Sequence, residues 1–269
     1  MANLDLLRQR QQQTWATGDF SVVGASQLIV GEMLCDAVEV HAGQAVLDVA
    51  TGSGNTALAA ARRACQVTAI DFVPALLERG RERAAAERLK VTFLDGEADN
   101  IPLPDASFDA VLSTFGAMFA PDWRRTADEL LRVCRPGGKI GMANWTPESM
   151  TGEMFRIVRQ YAAPPPVKID PPEQWGIESI LRERFGDRIS ALTVTRRYCL
   201  FRHFTPRHWV EFMKTWFGPT IVTLRGLSPE RQEALTEVMV ELATRHNQSG
   251  DETLLARAEY LEAVAVKRP

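Results

Sequence analysis

The stretch LDVATGSGNTALAAARR, Leu47–Arg63, joins a short apolar run to an alanine-rich segment through a turn that contains two glycines. Gly52 and Gly54 allow a tight turn and let the backbone approach a ligand closely. The alanine-rich segment predicts a helix, whose first turn offers free amide groups and a positive dipole end. The order of strand, glycine turn and helix therefore predicts a ligand-binding turn in a parallel α/β fold.

Outward from this turn, short apolar runs alternate with amphipathic segments from residue 45 to residue 145. The runs predict five strands, at Ala45–Val49, Val67–Ile70, Val91–Leu94, Ala110–Ser113 and Lys139–Ala143. Because these runs are continuously apolar, we expect helices to cover both faces of the sheet. Between the last two strands we predict a helix over Ala120–Arg135, capped by Asp122 and ended by the Pro-Gly-Gly sequence at 136–138.

The second half of the chain has a different pattern. Residues 146–185 are rich in proline and predict an irregular cap segment, followed by strands at Leu192–Leu200 and Tyr260–Lys267 with helices over 207–217 and 228–247 between them. The expected fold class is α/β, a Rossmann-like, doubly wound seven-stranded sheet with helical cap insertions. We expect one domain with these parts: an N-terminal helical cover (1–40), a cofactor-binding core (41–145), two cap segments (146–190 and 205–248) and the final strands (191–204 and 256–268).

Composition argues against several other classes of function. The 269 residues carry a net charge of −3, so we expect no nucleic-acid partner. No apolar run approaches the ~20 residues of a membrane helix, and the polar N-terminus lacks the apolar core of a secretion signal. The four cysteines are far apart, which predicts free thiols in the cytoplasm rather than disulfides or a zinc site, and we expect no metal.

Two cofactors fit the glycine turn. Residues 52–57, GSGNTA, match the G-x-G-x-x-G/A pattern of a nicotinamide-binding turn, whereas D-x-A-x-G-x-G, read from Asp48, resembles a turn that binds S-adenosylmethionine. Asp71, at the end of the second strand, suits the ribose diol of either cofactor. Asp48 separates them, because a carboxylate there repels the pyrophosphate of NAD and attracts the ammonium of S-adenosylmethionine. The charges therefore favour S-adenosylmethionine.

Five segments, in order and with the right spacing, carry a resemblance to a known family. They are VLDVATGSGN, VTAIDF, GEADNIPLPDASFDAVLS, STFGAMFAPD and LLRVCRPGGKIGMANW, and they cover about residues 40–145. With these segments the chain resembles the class I S-adenosylmethionine-dependent methyltransferases, in particular the branch similar to the C-methyltransferases of ubiquinone and menaquinone biosynthesis. One departure is Ala50, where the family often has its first glycine; we expect a methyl side chain still to permit the turn.

The resemblance implies which residues hold the nucleoside of the cofactor. Asp71 resembles the acidic residue that accepts from the ribose hydroxyls, and Phe72 resembles the residue that packs on adenine. Glu97 and Ala98 occupy the positions of an acidic-small pair that reads adenine, although the family more often has aspartate in place of Glu97. Taken alone, each residue has a simpler interpretation: Asp71 as a helix cap, Phe72 in the core and Glu97 in solvent.

The resemblance also implies contacts with the methionine end of the cofactor. Gly52 and Ser113 resemble residues whose backbone meets that moiety, and we include Asp48 and Asn55 of the glycine turn. Trp15 precedes the sheet in a segment that, in this family, often folds over the cofactor. Its ring could face the sulfonium, worth ~0.5–2 kcal/mol as a cation–π contact, or could pack the segment on the body.

The activity implied is in-line methyl transfer to a small, apolar or aromatic acceptor, which needs alignment and, for some acceptors, a base. His203 and His208 are the candidate bases; they lie in YCLFRHFTPRHWVEFMKTWF, whose aromatic residues fit either a pocket or a core stripe at helical spacing. A non-catalytic S-adenosylmethionine-binding regulatory or assembly protein is the alternative from another class, and an NAD-dependent oxidoreductase is the enzyme alternative. The aromatic residues argue against the first, and Asp48 and Glu97 argue against the second.

Overall fold

Seven strands form one mixed sheet in the computed structural model, which describes residues 2–269. The strands are β1 (Ala45–Val49), β2 (Gln66–Asp71), β3 (Val91–Asp95), β4 (Phe108–Thr114), β5 (Cys134–Trp145), β6 (Ile189–His203) and β7 (Leu254–Lys267). Their order across the sheet is β3-β2-β1-β4-β5-β7-β6. Strands β1 to β5 are parallel, and β7 runs antiparallel to both of its neighbours. The order reverses between β1 and β4, which is where ligands bind in sheets of this kind.

Helices precede the sheet, cover both of its faces and form an insertion before its last strand. They are α1 (Ala2–Trp15), α2 (Phe20–Ala25), α3 (Leu28–Val38), α4 (Asn55–Arg62), α5 (Pro74–Ala86), α6 (Trp123–Val133), α7 (Met150–Tyr161), α8 (Glu178–Phe185), α9 (Pro206–Trp216), α10 (Gly218–Arg225) and α11 (Pro229–Arg245). Val46 packs in a core with α3 and α4, whereas Leu47 packs in the other core with α6. Successive side chains of a strand enter opposite layers, which explains why the run is continuously apolar. The predicted α/β class and seven-stranded sheet are confirmed.

The predicted helix after β4 is correct at its start and wrong at its end. Asp122 accepts hydrogen bonds from the backbone amides of Arg124 and Arg125, so it caps α6 as expected. The helix ends at Val133, before the Pro-Gly-Gly sequence, which lies in β5 instead. The chain leaves helical geometry at Cys134 because this residue already pairs with Phe108 of β4.

The expectation of an irregular segment over 146–185 is wrong for most of its length. Helix α7 forms because the Ser149 hydroxyl accepts from the Gly152 amide, and because Met154, Phe155 and Val158 are buried on one face. Helix α8 follows, and the prolines fall between the two helices. Helix α10 was also not predicted. The prolines thus led to a prediction of irregular structure for residues that include an amphipathic helix.

Helix α1 lies across the carboxyl ends of the parallel strands. The side-chain amide of Gln12 donates to the carbonyl of Phe72 after β2, and that of Gln11 donates to the carbonyl of Phe119 after β4, at 3.0 Å. These two bonds join α1 to the loops on both sides of the point where the strand order reverses. No helix in the described part of the chain has both the length and the apolar character needed to cross a membrane.

Candidate functional site

A cavity opens at the carboxyl ends of the strands, beneath α1 and α2. One part, here called the carboxylate side, is formed at and after the carboxyl ends of β1, β2 and β3 by Asp48, Gly52, Asn55, Asp71, Phe72, Glu97, Ala98 and Asp99. The other part, the aromatic side, is formed mainly by β5, β6, α7 and α9, with Phe115, Trp145, Met154, Phe155, Phe201, Trp209, Phe212 and Met213. The sheet order separates the two sides, because β3 and β2 lie at one edge and β6 lies at the other.

The glycine turn has a left-handed backbone at three positions. Gly52 and Gly54 have φ angles of +54° and +87°, which glycine adopts without a steric penalty. Ala50 has a φ of +54°, so the residue that departs from the family pattern holds a conformation that costs about 1–2 kcal/mol for an L-residue. The turn therefore forms with alanine at this position, as expected, but at some cost in backbone strain.

Asp48 is buried and fastens the turn to the helix that follows it. Its Oδ2 accepts from the Thr51 hydroxyl at 2.5 Å and from the Ala57 amide at 2.9 Å. Burial raises the pKa of Asp48 to about 7, and the nearby charge of Asp71 adds to this rise while the two hydrogen bonds oppose it. An anionic Asp48 is thus costly in this site unless a positive charge lies nearby.

Asp71 is buried at the end of β2 and is oriented by backbone amides. Its two oxygens accept from the amides of Gly52, at 2.8 Å, and Val73, at 2.9 Å. Burial raises the pKa of Asp71 to about 6, with a smaller contribution from the charge of Asp95. A carboxylate has about four lone-pair sites, so this group retains the capacity to accept from two further donors in the cavity.

Glu97 and Asp99 are joined to α1 by a single arginine. Arg8 approaches Glu97 Oε2 with its Nε and Asp99 Oδ2 with its Nη2, both at 2.9 Å. Asp99 is buried and Glu97 is half-buried, and burial raises the pKa of Glu97 while Arg8 opposes that rise. Ala98 lies between the two acids on the cavity wall. Glu97 is therefore an ion-pair partner of the N-terminal helix, as well as a lining residue.

Asn55 lines the cavity, but its side chain also connects three segments. Its Nδ2 donates to the Gly24 carbonyl of α2 at 2.9 Å, and its Oδ1 accepts from Arg83 of α5 at 2.8 Å. Arg83 also donates to the carbonyl oxygen and hydroxyl of Ser53. Asn55 thus holds the glycine turn in place between α2 and α5.

Ser113 does not line the cavity. Its hydroxyl donates to the Val49 carbonyl at 2.8 Å and accepts from the Ala117 amide at 3.0 Å, so it braces β4 against β1. The lining residues of this loop are Thr114 and Gly116, together with Phe115 between them. Ser113 therefore supports a loop whose next three residues line the cavity, and its contact with the cofactor stays a prediction.

Trp15 lies where the N-terminal cover meets the loops of the cavity. Its ring makes edge contacts with Phe20, Phe119 and Phe217, at centroid distances of 5.6, 5.0 and 5.7 Å. All four rings line the cavity. Both interpretations of Trp15 thus hold geometrically, since it packs the cover on the body and also faces the binding space.

The two candidate histidines are placed differently. His203, at the end of β6, is half-buried and lines the cavity, whereas His208 on α9 is exposed and does not line it. Their rings are 5.3 Å apart, and His203 also contacts Phe212 at 5.1 Å. Burial, with a smaller effect of His208, lowers the pKa of His203 to about 4. His203 therefore lines the binding space and His208 does not, and the role of either histidine as a base stays a prediction.

The lining residues that the sequence did not identify include Arg8, Asp99, Gln27 and Thr151. Asp99 had a weak local signal, since it follows the acidic-small pair directly, whereas Arg8 had none. Gln27 and Thr151 had none, because nothing in their neighbouring residues indicates that they line the cavity. Long-range packing brings these two side chains to the site.

The carboxylate side fits S-adenosylmethionine better than NAD. Four carboxylates line it, and Arg8, the one arginine among the described lining residues, is already paired with two of them. A pyrophosphate would meet this negative charge with no free cation beside it, whereas a sulfonium and an ammonium would be stabilised. Asp71 keeps acceptor capacity for a ribose diol, and Gly52, whose amide donates to it, adds no side chain to the cavity wall.

Comparison with known proteins agrees with this assignment of the cofactor. A sequence model of the methyltransferase domain matches residues 46–138. The chain is 38% identical over 245 residues to the uncharacterized protein Rv1403c of Mycobacterium tuberculosis, with 87% of each covered. It is 39% identical over 128 residues to demethylmenaquinone methyltransferase of Deinococcus radiodurans, covering 46% of this chain and 53% of that one. The solved structure of YcgJ from Bacillus subtilis matches with a TM-score of 0.60 at 19% identity, covering 88% and 97%, which supports the fold alone.

Proposed function

Because this chain belongs to the class I S-adenosylmethionine-dependent methyltransferases, with S-adenosylmethionine as its cofactor, we propose that it methylates a small apolar or aromatic molecule bound on the aromatic side of the cavity. The observation that carries this proposal is the continuity of the two sides: a wall of carboxylates, suited to a cationic cofactor, joins a wall of aromatic and methionine side chains. Few charged groups line the second wall, so it favours an acceptor with little charge of its own.

The cofactor supplies an activated methyl group, and this chain's residues supply its position. Asp71 accepts from the ribose hydroxyls, Phe72 packs on the adenine, and Glu97 with Ala98 borders the base. Gly52 and Thr114 place their backbone beside the methionine end, where Asp48 offers the negative charge for its ammonium. Trp15 closes the cavity from above and excludes water, which holds the acceptor in line for displacement.

The remaining segments are assigned to the acceptor. We propose that residues 1–269 form one domain, in which 1–40 covers the cofactor and the segments 146–190 and 205–248 shape the space for the acceptor. The partner is a small molecule and not a nucleic acid, since the lining is aromatic and the net charge is −3. Four buried, unpaired cysteines favour the cytoplasm.

Isothermal titration calorimetry and a turnover assay test this function together. S-adenosylmethionine and S-adenosylhomocysteine are expected to bind in the micromolar range, and NAD is expected not to bind. Incubation with methyl-labelled cofactor and a panel of apolar and aromatic metabolites should give a labelled product that mass spectrometry identifies. Binding of NAD alone would contradict the assignment of the cofactor, and binding without turnover of any acceptor would favour a non-catalytic role.

A further inference from the structure

Three uncharged polar side chains on the cavity wall make no hydrogen bond to any residue that the structure describes. They are Gln27, Thr151 and His203. Gln27 is 8% exposed and Thr151 is 6% exposed, so both side chains are largely buried and both line the cavity. Buried polar side chains nearly always have a partner, and a group of them that lacks one on a cavity wall points to a ligand that provides it.

The backbone brings two of these groups to the same wall. Cys199, Phe201 and His203 alternate with outward residues and share one face of β6. The Cys199 thiol donates to the Ser26 carbonyl at 3.7 Å, so β6 runs beside the junction that carries Gln27. His203 lies farther along the same face.

Aromatic rings form the adjoining wall. Phe201 is 6.1 Å from Trp145, and Trp145 stacks on Phe115 with centroids 3.8 Å apart and planes 6° apart. Thr151 lies in the first turn of α7, a helix that follows Trp145 closely in the chain. A flat ring with polar substituents would thus meet aromatic faces and unpartnered polar groups together.

We propose that the methyl acceptor is an uncharged hydroxyaryl compound whose reacting hydroxyl donates to the imidazole of His203, while Gln27 binds a second oxygen substituent on the ring. This inference rests on the proposed methyltransferase function and specifies its substrate. The unpartnered groups are all neutral, so they match hydroxyl and carbonyl oxygens rather than a carboxylate or phosphate, which would need a cation.

The reacting hydroxyl has to lose its proton, which explains the role of an imidazole at the position of His203. As the hydroxyl oxygen forms its bond to the methyl carbon, the carbon–sulfur bond of the cofactor breaks and its electron pair stays on sulfur. The hydroxyl proton passes to the free ring nitrogen of His203 and then to water. The products are an aryl methyl ether and S-adenosylhomocysteine. A neutral amine can be methylated before it loses its proton, so it depends less on such a base.

The surroundings of His203 keep its ring neutral. The ring faces His208 and Phe212 of α9, and no carboxylate of the described residues forms an ion pair with it. Burial lowers the pKa of His203 to about 4. Between pH 6 and 9 the ring should therefore stay unprotonated, and kcat measured with saturating cofactor should show no inflection near pH 6.5, where an unperturbed histidine titrates.

The experiment compares acceptors that differ only in the reacting group. Methyl-labelled cofactor is incubated with dihydroxynaphthalene and dihydroxybenzene isomers, the matching aminoaryl and mercaptoaryl compounds and the matching carboxylic acids, and mass spectrometry locates the methyl group. We expect O-methylation of the hydroxyaryl compounds. Methylation only at nitrogen, sulfur, carboxylate or ring carbon would overturn the proposal, although the methyltransferase function would stand.

Variants then separate a catalytic role from a structural one. His203→Gln should lower kcat at least about 100-fold with the acceptor, while the Kd of S-adenosylhomocysteine and the melting temperature stay close to wild type. Gln27→Leu should raise KM about tenfold with a smaller effect on kcat, and His41→Gln, the matched control at an exposed histidine before β1 and outside the cavity, should change neither. A His203→Gln enzyme that retains at least a third of the wild-type kcat would overturn the role of the imidazole. A wild-type protein that does not bind S-adenosylmethionine would overturn the proposed function itself.

Discussion

The carboxylate side and the aromatic side of the cavity are built in different ways. On the carboxylate side, Asp48, Asp71 and Glu97 each lie at or within two residues of the end of a parallel strand, and backbone amides orient two of these carboxylates. On the aromatic side, the rings come from helices and strands that are far apart in sequence. The first side depends on local backbone geometry, and the second depends on how the whole chain packs. Substitutions should therefore affect the two sides independently.

The largest expected effect is loss of cofactor binding in Asp71→Ala. This change removes the acceptor for the ribose hydroxyls and leaves the amides of Gly52 and Val73 without their partner, each at a cost of about 1–3 kcal/mol. We expect the Kd for S-adenosylmethionine to rise more than 100-fold in calorimetry.

Asp95→Ala is the matched control for this variant. Asp95 pairs with Asp71 in the register of β2 and β3, but it is exposed and does not line the cavity. We expect the Kd of S-adenosylmethionine for this variant to stay within about threefold of wild type. An Asp71→Ala protein that binds the cofactor with wild-type affinity would show that the ribose is held elsewhere.

The reverse test is Phe155→Ala on the aromatic side. Phe155 is buried on α7, lines the cavity and makes an edge contact with Phe119 at 5.3 Å. Its removal should lower kcat/KM for the acceptor about 10- to 50-fold through lost contact and looser alignment, with the Kd of the cofactor unchanged. Loss of a buried phenylalanine should also cost about 3 kcal/mol of stability, so the assays belong well below the melting temperature.

Phe204→Ala controls for the loss of a phenyl ring. Phe204 is 78% exposed and is not a lining residue, so its kcat/KM should equal that of wild type. If Phe155→Ala weakened binding of the cofactor as much as it lowered kcat/KM for the acceptor, the two sides of the cavity would not be independent.

The same difference explains how far the sequence could predict this molecule. Strand β1 and the cap at Asp122 followed from local patterns and are correct, because a buried parallel strand and an N-cap each have a short-range signature. The end of α6 at Val133 was missed, because it depends on pairing with a strand some 25 residues earlier. Gln27 and Thr151 could not be found, because only tertiary packing brings them to the cavity.

Acidic pH should weaken binding of the cofactor without affecting the aromatic side of the cavity. Burial raises the pKa of Asp71 to about 6, and the hydroxyls of the ribose bind its anionic form. Protonation below that pKa removes this acceptor, so the Kd of S-adenosylmethionine should rise at least about tenfold between pH 7 and pH 5. Burial raises the pKa of Asp48 to about 7, so protonation of Asp48 should also raise the Kd as the pH falls.

Calorimetry in buffers with different ionisation enthalpies measures whether binding of the cofactor releases or takes up protons. Because binding favours the anionic carboxylates, it should release protons near pH 6.5, and Asp48→Asn should release fewer. Proton uptake on binding, or a Kd that does not change over this range, would show that these carboxylates do not interact with the cofactor.

The smallest effect concerns the backbone of the glycine turn. Ala50 has a φ of +54°, whereas Ala61 lies within α4 in ordinary helical geometry. Ala50→Gly should raise the free energy of unfolding by up to about 1 kcal/mol, because relief of left-handed strain exceeds the entropy cost of glycine. Ala61→Gly should lower it by about 1 kcal/mol. Urea unfolding measures both changes in the free energy of unfolding. Changes of opposite sign, with cofactor affinity unchanged in both variants, would show that local backbone geometry determines this side of the cavity. A loss of stability in both variants would show that side-chain packing at Ala50 matters more than its φ angle.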